Sequence, residues 1–526
     1  MNQSLCGAIF LMAFGAAQPS RAELGAANSQ QFIQSVNGLE GAVEANDRFG
    51  ETLARGDFDN DGIGDLAIGV PREDVGNLQN AGAVQIIYGA ADGLTTVDNQ
   101  LWIQGLNQLP GTAEAFDEFG ASLATGDFDG DGFDDLAAGA PGEALGSTSD
   151  AGAVIVLYGG PVGLTVRGSQ FFSLDTPGID GPAAAGDRFG TALAAGDFDA
   201  DGLTDLVIGA PRARPPFPGA PSAGVVFTLS GTTTSGLTAQ DSQSLFQSLG
   251  GVPGLSEEND KFGEVLTAGS LNGDGFDDLV VGIPSEDVGS VVNAGAINIF
   301  FGSTTGITVT GALLLDQSSP LVAGVQETGD EFGASIAIGS FNGDAFADIA
   351  IGVPREDVGS VVNAGAVVLL LGGNSGIATE SAFLDQSLSI SIDDEEGSDL
   401  FGFSLAASDF NGDAVDDLAV GLPGQAVDGV GAAGMVHIFH GSSSGFPNSQ
   451  QQLWTQNTPG IFDVAEPSDF FGIALAAGNF DSDLSSDLAI GVRGEAIIGM
   501  SAAGTINVIY SMIELPDALF ADSFED

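Results

Sequence analysis

Basic side chains are nearly missing from this chain: 11 Lys and Arg stand against 72 Asp and Glu in 526 residues, a formal net charge of −61. No basic stripe is available to neutralise phosphates, which excludes a nucleic-acid ligand. Cysteine is scarcer still. The one cysteine, Cys6, lies in an apolar run over residues 5–17, the length of a signal-peptide core, ahead of a small-x-small site at Ser20-Arg21-Ala22. With residues 1–22 removed the chain can form no disulfide, so its stability outside the cell must come from another source. Histidine is limited to His437 and His440, both expected at polar strand positions. There is no nucleophile elbow, zinc pattern or P-loop, so the expectation is a protein that is not an enzyme. Past the leader, no apolar run is long enough to span a bilayer. These absences together describe a secreted, extracellular or periplasmic protein, cleaved near Ala22, without a membrane span and kept monomeric by its own charge.

What the chain has in abundance is repetition. Phe-Gly pairs begin at Phe49, Phe119, Phe189, Phe262, Phe332, Phe401 and Phe471, in steps of 70, 70, 73, 70, 69 and 70 residues. A period that covers almost the whole chain describes one array of equivalent units. Each unit carries four short β-type runs: one after Phe-Gly, one after an acidic loop, one opening with Ala-Gly, and an outer run such as Gln100-Leu-Trp-Ile-Gln104. Gly, Pro, Asp and Asn bound them, and no stretch sustains a helical period. Four antiparallel strands repeated radially predict an all-β, seven-bladed β-propeller over residues 23–511, followed by an acidic tail, 512–526. The abundant small residues suit inner strands crowded around an axis. Six outer runs lie near 101, 171, 244, 313, 383 and 453, whereas the last unit ends at Tyr510 without one. A spare run, Gln31-Phe-Ile-Gln34, precedes the first Phe-Gly. Pairing of residues 31–36 beside the last blade would latch the ring and remove its open edge.

Seven or eight residues after each Phe-Gly comes a carboxylate loop. In the first, Asp57, Asp59, Asp61 and Asp65 occupy positions 1, 3, 5 and 9, with the carbonyl of Ile63 at position 7. The layout recurs with Asp127, Asp129, Asp131, Phe133 and Asp135, and with Asp197, Asp199, Asp201, Leu203 and Asp205. The fourth and fifth loops use Ser270, Asn272, Asp274, Phe276 and Asp278, then Ser340, Asn342, Asp344, Phe346 and Asp348. The sixth has Asp409, Asn411, Asp413, Val415 and Asp417, the seventh Asn479, Asp481, Asp483, Ser485 and Asp487. Alternate spacing turns hard oxygen ligands toward one point, which suits Ca²⁺. Asp and Asn also make plain turns, but seven loops in register exceed what turns require. They are not EF-hands, since Ile68 holds the twelfth position. Up to seven structural Ca²⁺ are expected, tightest in loops one to three with four Asp each. Ala345, Ala414 and Leu484 replace the turn glycine in the last three loops, and the seventh is expected to be the weakest.

Phe-Gly, then Gly-Asp-x-(Asp/Asn)-x-Asp-Gly, then Gly-(Ala/Val/Ile)-Pro resembles the FG-GAP repeat of the integrin α-subunit propeller. Gly139-Ala-Pro141 and Gly209-Ala-Pro211 match the last element literally; Gly69-Val-Pro71, Gly282-Ile-Pro284, Gly352-Val-Pro354 and Gly421-Leu-Pro423 vary it, and Gly491-Val-Arg493 departs. The resemblance covers residues 30–511 and implies metal loops on one rim and ligands on the opposite face. Legs, span and β partner are missing, so the chain looks like a free-standing secreted bacterial-type relative. The implied role is a binding or adhesion module for an extracellular protein or glycan. Arg212, Arg214 and Phe217, in a Pro-stiffened loop of the opposite face, are the candidate ligand contacts. A carbohydrate-active hydrolase or lyase, or a matrix or surface-layer component, are the alternatives.

Overall fold

The computed structural model describes residues 22–215, 220–374, 376–388, 396–443, 445–447, 451–483 and 485–513. The expected leader, up to residue 21, and the acidic tail beyond 513 lie outside the described residues, as does Phe217. The chain folds into seven four-stranded antiparallel sheets, the blades of a propeller. In the first blade the strands are Thr52–Gly56, Asp65–Val70, Ala83–Tyr88 and Thr95–Trp102. Every residue of Asp65–Val70 and Ala83–Tyr88 is buried, because each sheet is covered on both faces by neighbouring blades. These strands therefore read as continuous apolar runs rather than alternating ones. Among the described residues no helix is long and apolar enough to cross a membrane.

The motif residues meet at blade junctions. Phe119 N–H donates to the Ala81 carbonyl of the preceding blade at 3.1 Å, forming a parallel bridge between Gly82 and Phe119. The carbonyl of Gly120 then presses on Gly69 so closely that a Cβ there would sit 2.1 Å from it. Glycine is required at that contact by space alone. The phenylalanine rings of all seven Phe-Gly pairs are fully buried between blades. The same junction closes the ring, with Phe49 bridged to Gly504 and the Gly50 carbonyl against Gly491.

The N-terminal strand completes the seventh blade, as the repeat count required. Its limits differ from expectation: it spans Ala22–Phe32 against Thr505–Ile513, with Phe32 opposite Ile506 and Ala22 opposite Ile513 across a bulge between Gly25 and Gln30. Residues 33–36 instead turn, Val36 N–H reaching the Ile33 carbonyl at 3.1 Å. The segment from Ala26 to Gln30 is too polar to show strand alternation, and only Leu24, Ser29 and Phe32 bury their side chains.

Tyrosines tie blades together at three junctions. The Tyr88 hydroxyl donates to Gln100 Oε1 at 2.9 Å and accepts from Leu164 N–H of the next blade at 3.3 Å, while Gln100 Nε2 donates to the Leu164 carbonyl. Tyr158 with Gln170 grips Leu237 in the same way. Tyr510, Gln30 and Leu94 form the clamp at the point of closure.

Candidate metal loops

Each carboxylate loop joins a blade's first strand to its second and is shaped by its own side chains. In the first loop Asp57 accepts the N–H groups of Asp61 and Gly62 at 3.1 and 3.0 Å, and Asp61 accepts that of Ile63 at 2.8 Å. These bonds curl the chain so that its carboxylates face inward. Oxygens of Asp57, Asp59 and Asp61 come within 4.8 Å of one another. So do those of Asp127, Asp129 and Asp135, of Asp197, Asp199 and Asp201, and of Asp481, Asp483 and Asp487. Calcium–oxygen distances run from about 2.3 to 2.6 Å, so one ion can touch all three oxygens of such a group. The donor set, three carboxylates, fits a hard divalent cation.

The ninth-position aspartates have a second job in all seven blades. Asp65 is essentially inaccessible, and its two oxygens accept N–H groups from Phe58 and Gly89, both at 2.8 Å. Asp135, Asp205, Asp278, Asp348, Asp417 and Asp487 make the equivalent pair of bonds. Each thus buckles its loop to the end of the third strand. Burial pushes Asp65, Asp135 and Asp487 up to about 8 and Asp205 to about 7, with neighbouring loop carboxylates adding to the shift. A cation in the loop would relieve the same charge that a proton otherwise must.

The loops are also linked to each other. Asp134 N–H donates to the Asp57 carbonyl at 3.0 Å, and Asp57 N–H donates to Asp134 Oδ2 at 2.9 Å. A backbone bond from the residue before the ninth position to the first-position carbonyl of the preceding blade recurs at every junction, through Thr204–Asp127, Asp277–Asp197, Ala347–Ser270, Asp416–Ser340, Ser486–Asp409 and Gly64–Asn479.

Loops four to six differ. The Asn272 and Asn342 side-chain amides donate to Asp274 and Asp344, each at 3.0 Å, so a donor occupies the place of a third carboxylate. In the sixth loop Asn411 Nδ2 donates to both oxygens of Asp417, and His440 Nδ1 lies 2.9 Å from Asp417 Oδ2. His440 stands where Tyr88 stands in the first blade, and it turns inward to the aspartate. His437 occupies the Gln85 register position, stacks on Phe439 and is held neutral by burial, its pKa lowered to about 4. The seventh loop brings three carboxylates together, so convergence does not place it last.

A second tier of carboxylates, not expected from the sequence, lies at the other end of the second strands. Gln34 donates to Glu73, Gln104 to Glu143, Gln247 to Glu286, Gln317 to Glu356 and Gln456 to Glu495, at 2.6–2.9 Å. Burial raises these glutamates to about 7 or 8. In the sixth blade the pair is Gln386–Gln425, and in the third it is Leu174 and Ala213, both buried. The 39-residue spacing, which every such pair shares, was the signal available. Recurrence with one amide partner marks a packing device. Arg212 and Arg214 are exposed at this end of the third blade.

The FG-GAP repeat model matches residues 49–87, 119–157, 189–229, 262–300, 332–370 and 401–439, that is, six of the seven blades. The bovine (Bos taurus) phosphatidylinositol-glycan-specific phospholipase D is 30% identical over 190 residues, 36% of this chain and 22% of that protein. Integrin alpha-5 of Xenopus laevis is 33% identical over 236 residues, 44% of this chain and 20% of that protein. The chain thus spans about a fifth of the length of these relatives. Among solved structures, the exotype rhamnogalacturonan lyase YesX aligns over 92% of this chain and 76% of its own, with a TM-score of 0.43 and 14% identity.

Proposed function

Because the chain is an FG-GAP repeat protein built as a seven-bladed propeller, homologous over part of its length to integrin α subunits and to the phospholipase, we propose that it is a secreted, calcium-stabilised, non-enzymatic binding or adhesion module for an extracellular protein or glycan. The observation that carries the reading is the convergence of three carboxylates in each of four loops, on a scaffold of equivalent blades. Calcium in these loops cancels repulsion between clustered aspartates and holds each loop against its neighbour, in place of disulfides. Sites of this oxygen count in extracellular modules have dissociation constants of about 10⁻⁴–10⁻³ M, matched to external calcium. Five buried glutamates outside the loops are each paired with a glutamine, which favours packing over an acid–base role at those positions. Equilibrium dialysis with metal analysis tests the reading: at least the four converging loops should fill. Zero bound calcium would contradict it.

A further inference from the structure

The third blade breaks the repeat. Its unit is the one with a 73-residue step. The turn after its third strand, Gly231-Thr-Thr-Thr-Ser-Gly-Leu237, is one residue longer than Gly89-Ala-Ala-Asp-Gly-Leu94 in the first blade. Its outer strand is cut to Ser244–Leu245, where Thr95–Trp102, Thr165–Phe172 and Thr308–Leu315 each keep 8 residues. Polar Gln240, Asp241 and Gln243 stand where the ladder would continue.

Two cavities open on either side of that turn, at the metal-loop end of the molecule. One, of about 660 Å³ between the second and third blades, is lined by Asp129, Asp131, Thr165, Arg167, Thr233 and Thr234 among others. The other, of about 630 Å³ between the third and fourth blades, is lined by Asp199, Thr234, Thr238, Gln240, Asp241 and Thr305 among others. Thr234 and Ser235 border both. Each volume falls within the roughly 300–1,000 Å³ typical of ligand sites.

We propose that the two cavities form one binding site for a neutral saccharide chain laid across the 232–236 turn. The walls set the hydroxyls of Thr165, Thr233 and Thr234, which donate and accept, with carboxylates and the Gln240 amide among glycines, Pro161 and Val162, so polar groups are in place for a sugar's paired hydroxyls. The Thr232 and Ser235 hydroxyls are committed within the turn, leaving the exposed Thr233 and Thr234 at its tip. An acidic polymer would meet Asp241, a wall carboxylate outside the metal loops, on a molecule at −61 that the fourteen charges of seven Ca²⁺ would leave strongly negative. An apolar ligand would take the wall hydroxyls and carboxylates from water without offering them partners. The proposal rests on the calcium-loaded reading, since ions in the second and third loops keep Asp129 and Asp199 fixed in the walls and can accept sugar oxygens as neutral hard ligands.

An array of neutral gluco-, manno- and galacto-oligosaccharides beside uronate oligosaccharides, probed in calcium, is the test. Neutral chains should be retained. Thr234→Lys and Arg167→Ala should each weaken the retained probe about tenfold or more, the loss of one or two hydrogen bonds, with melting and ion count unchanged. Retention of uronates alone, retention of nothing, or indifference to Thr234→Lys overturns the proposal. The ion count is read on the same sample. Empty loops would defeat the calcium reading, whereas full loops without saccharide would defeat this one.

Discussion

Gly139 has no room for a methyl group: a Cβ there would lie 2.1 Å from the Gly190 carbonyl of the next blade and 2.3 Å from Ser122 Oγ. Gly139→Ala must push two blades apart, and a destabilisation of about 1–3 kcal/mol is expected in urea unfolding. A neutral result would mean the junctions are looser than this contact. Glu286 acts through its proton. Burial beside Asp260, Glu257 and Asp287 lifts it to about 8, with Gln247 its one facing amide. The folded state therefore holds a proton that the unfolded chain has lost, and the stability it supplies is full below about pH 4.5 and disappears as pH rises through about 8. Glu286→Gln copies the amide pair already present at Gln386–Gln425. With calcium saturating, it should flatten the fall in melting temperature between about pH 5 and 8 by the equivalent of about 1 kcal/mol or more. An unchanged slope would contradict this. The buried Phe-Gly rings were legible in the sequence because a rare dipeptide recurred at a fixed step. The Gln–Glu pairs were not, since both residues are common and their contact spans 39 positions.

At the scale of elements, loops and clamps behave as separable units. Asp129→Asn removes a carboxylate from the group with Asp127 and Asp135 and should cost one bound ion by calorimetry while the other loops still fill. Loss of several ions at once would show instead that the backbone links around the loop ring transmit occupancy. Tyr158→Phe deletes a hydroxyl that serves Gln170 and Leu237 together, and a loss of about 1–2 kcal/mol is expected. All seven loops could be read from spacing, and so could four strands per blade. The start of the closing strand could not, because the ladder is interrupted between Gly25 and Gln30 and Leu24 is the one large apolar side chain buried before Phe32. Nor could the environment of the sixth loop. His440 carries no motif, and only the register that sets it beside Asp417 shows why that carboxylate is already engaged.

The whole molecule is a ring of seven four-stranded blades closed on itself. Its last blade is completed by its first strand, and seven backbone bonds chain the metal loops in a circle. Such a ring should unfold in one cooperative step, and each ion bound only to the folded form raises its stability by about 1.4 kcal/mol at ten times the dissociation constant. The most direct measurement is differential scanning calorimetry of the chain from residue 23 onward, in millimolar calcium and in chelator. A single transition that rises with calcium concentration by several kcal/mol in total, together with four or more ions bound, is the result this account predicts. A transition indifferent to calcium would contradict it, and would leave the carboxylate loops as turns.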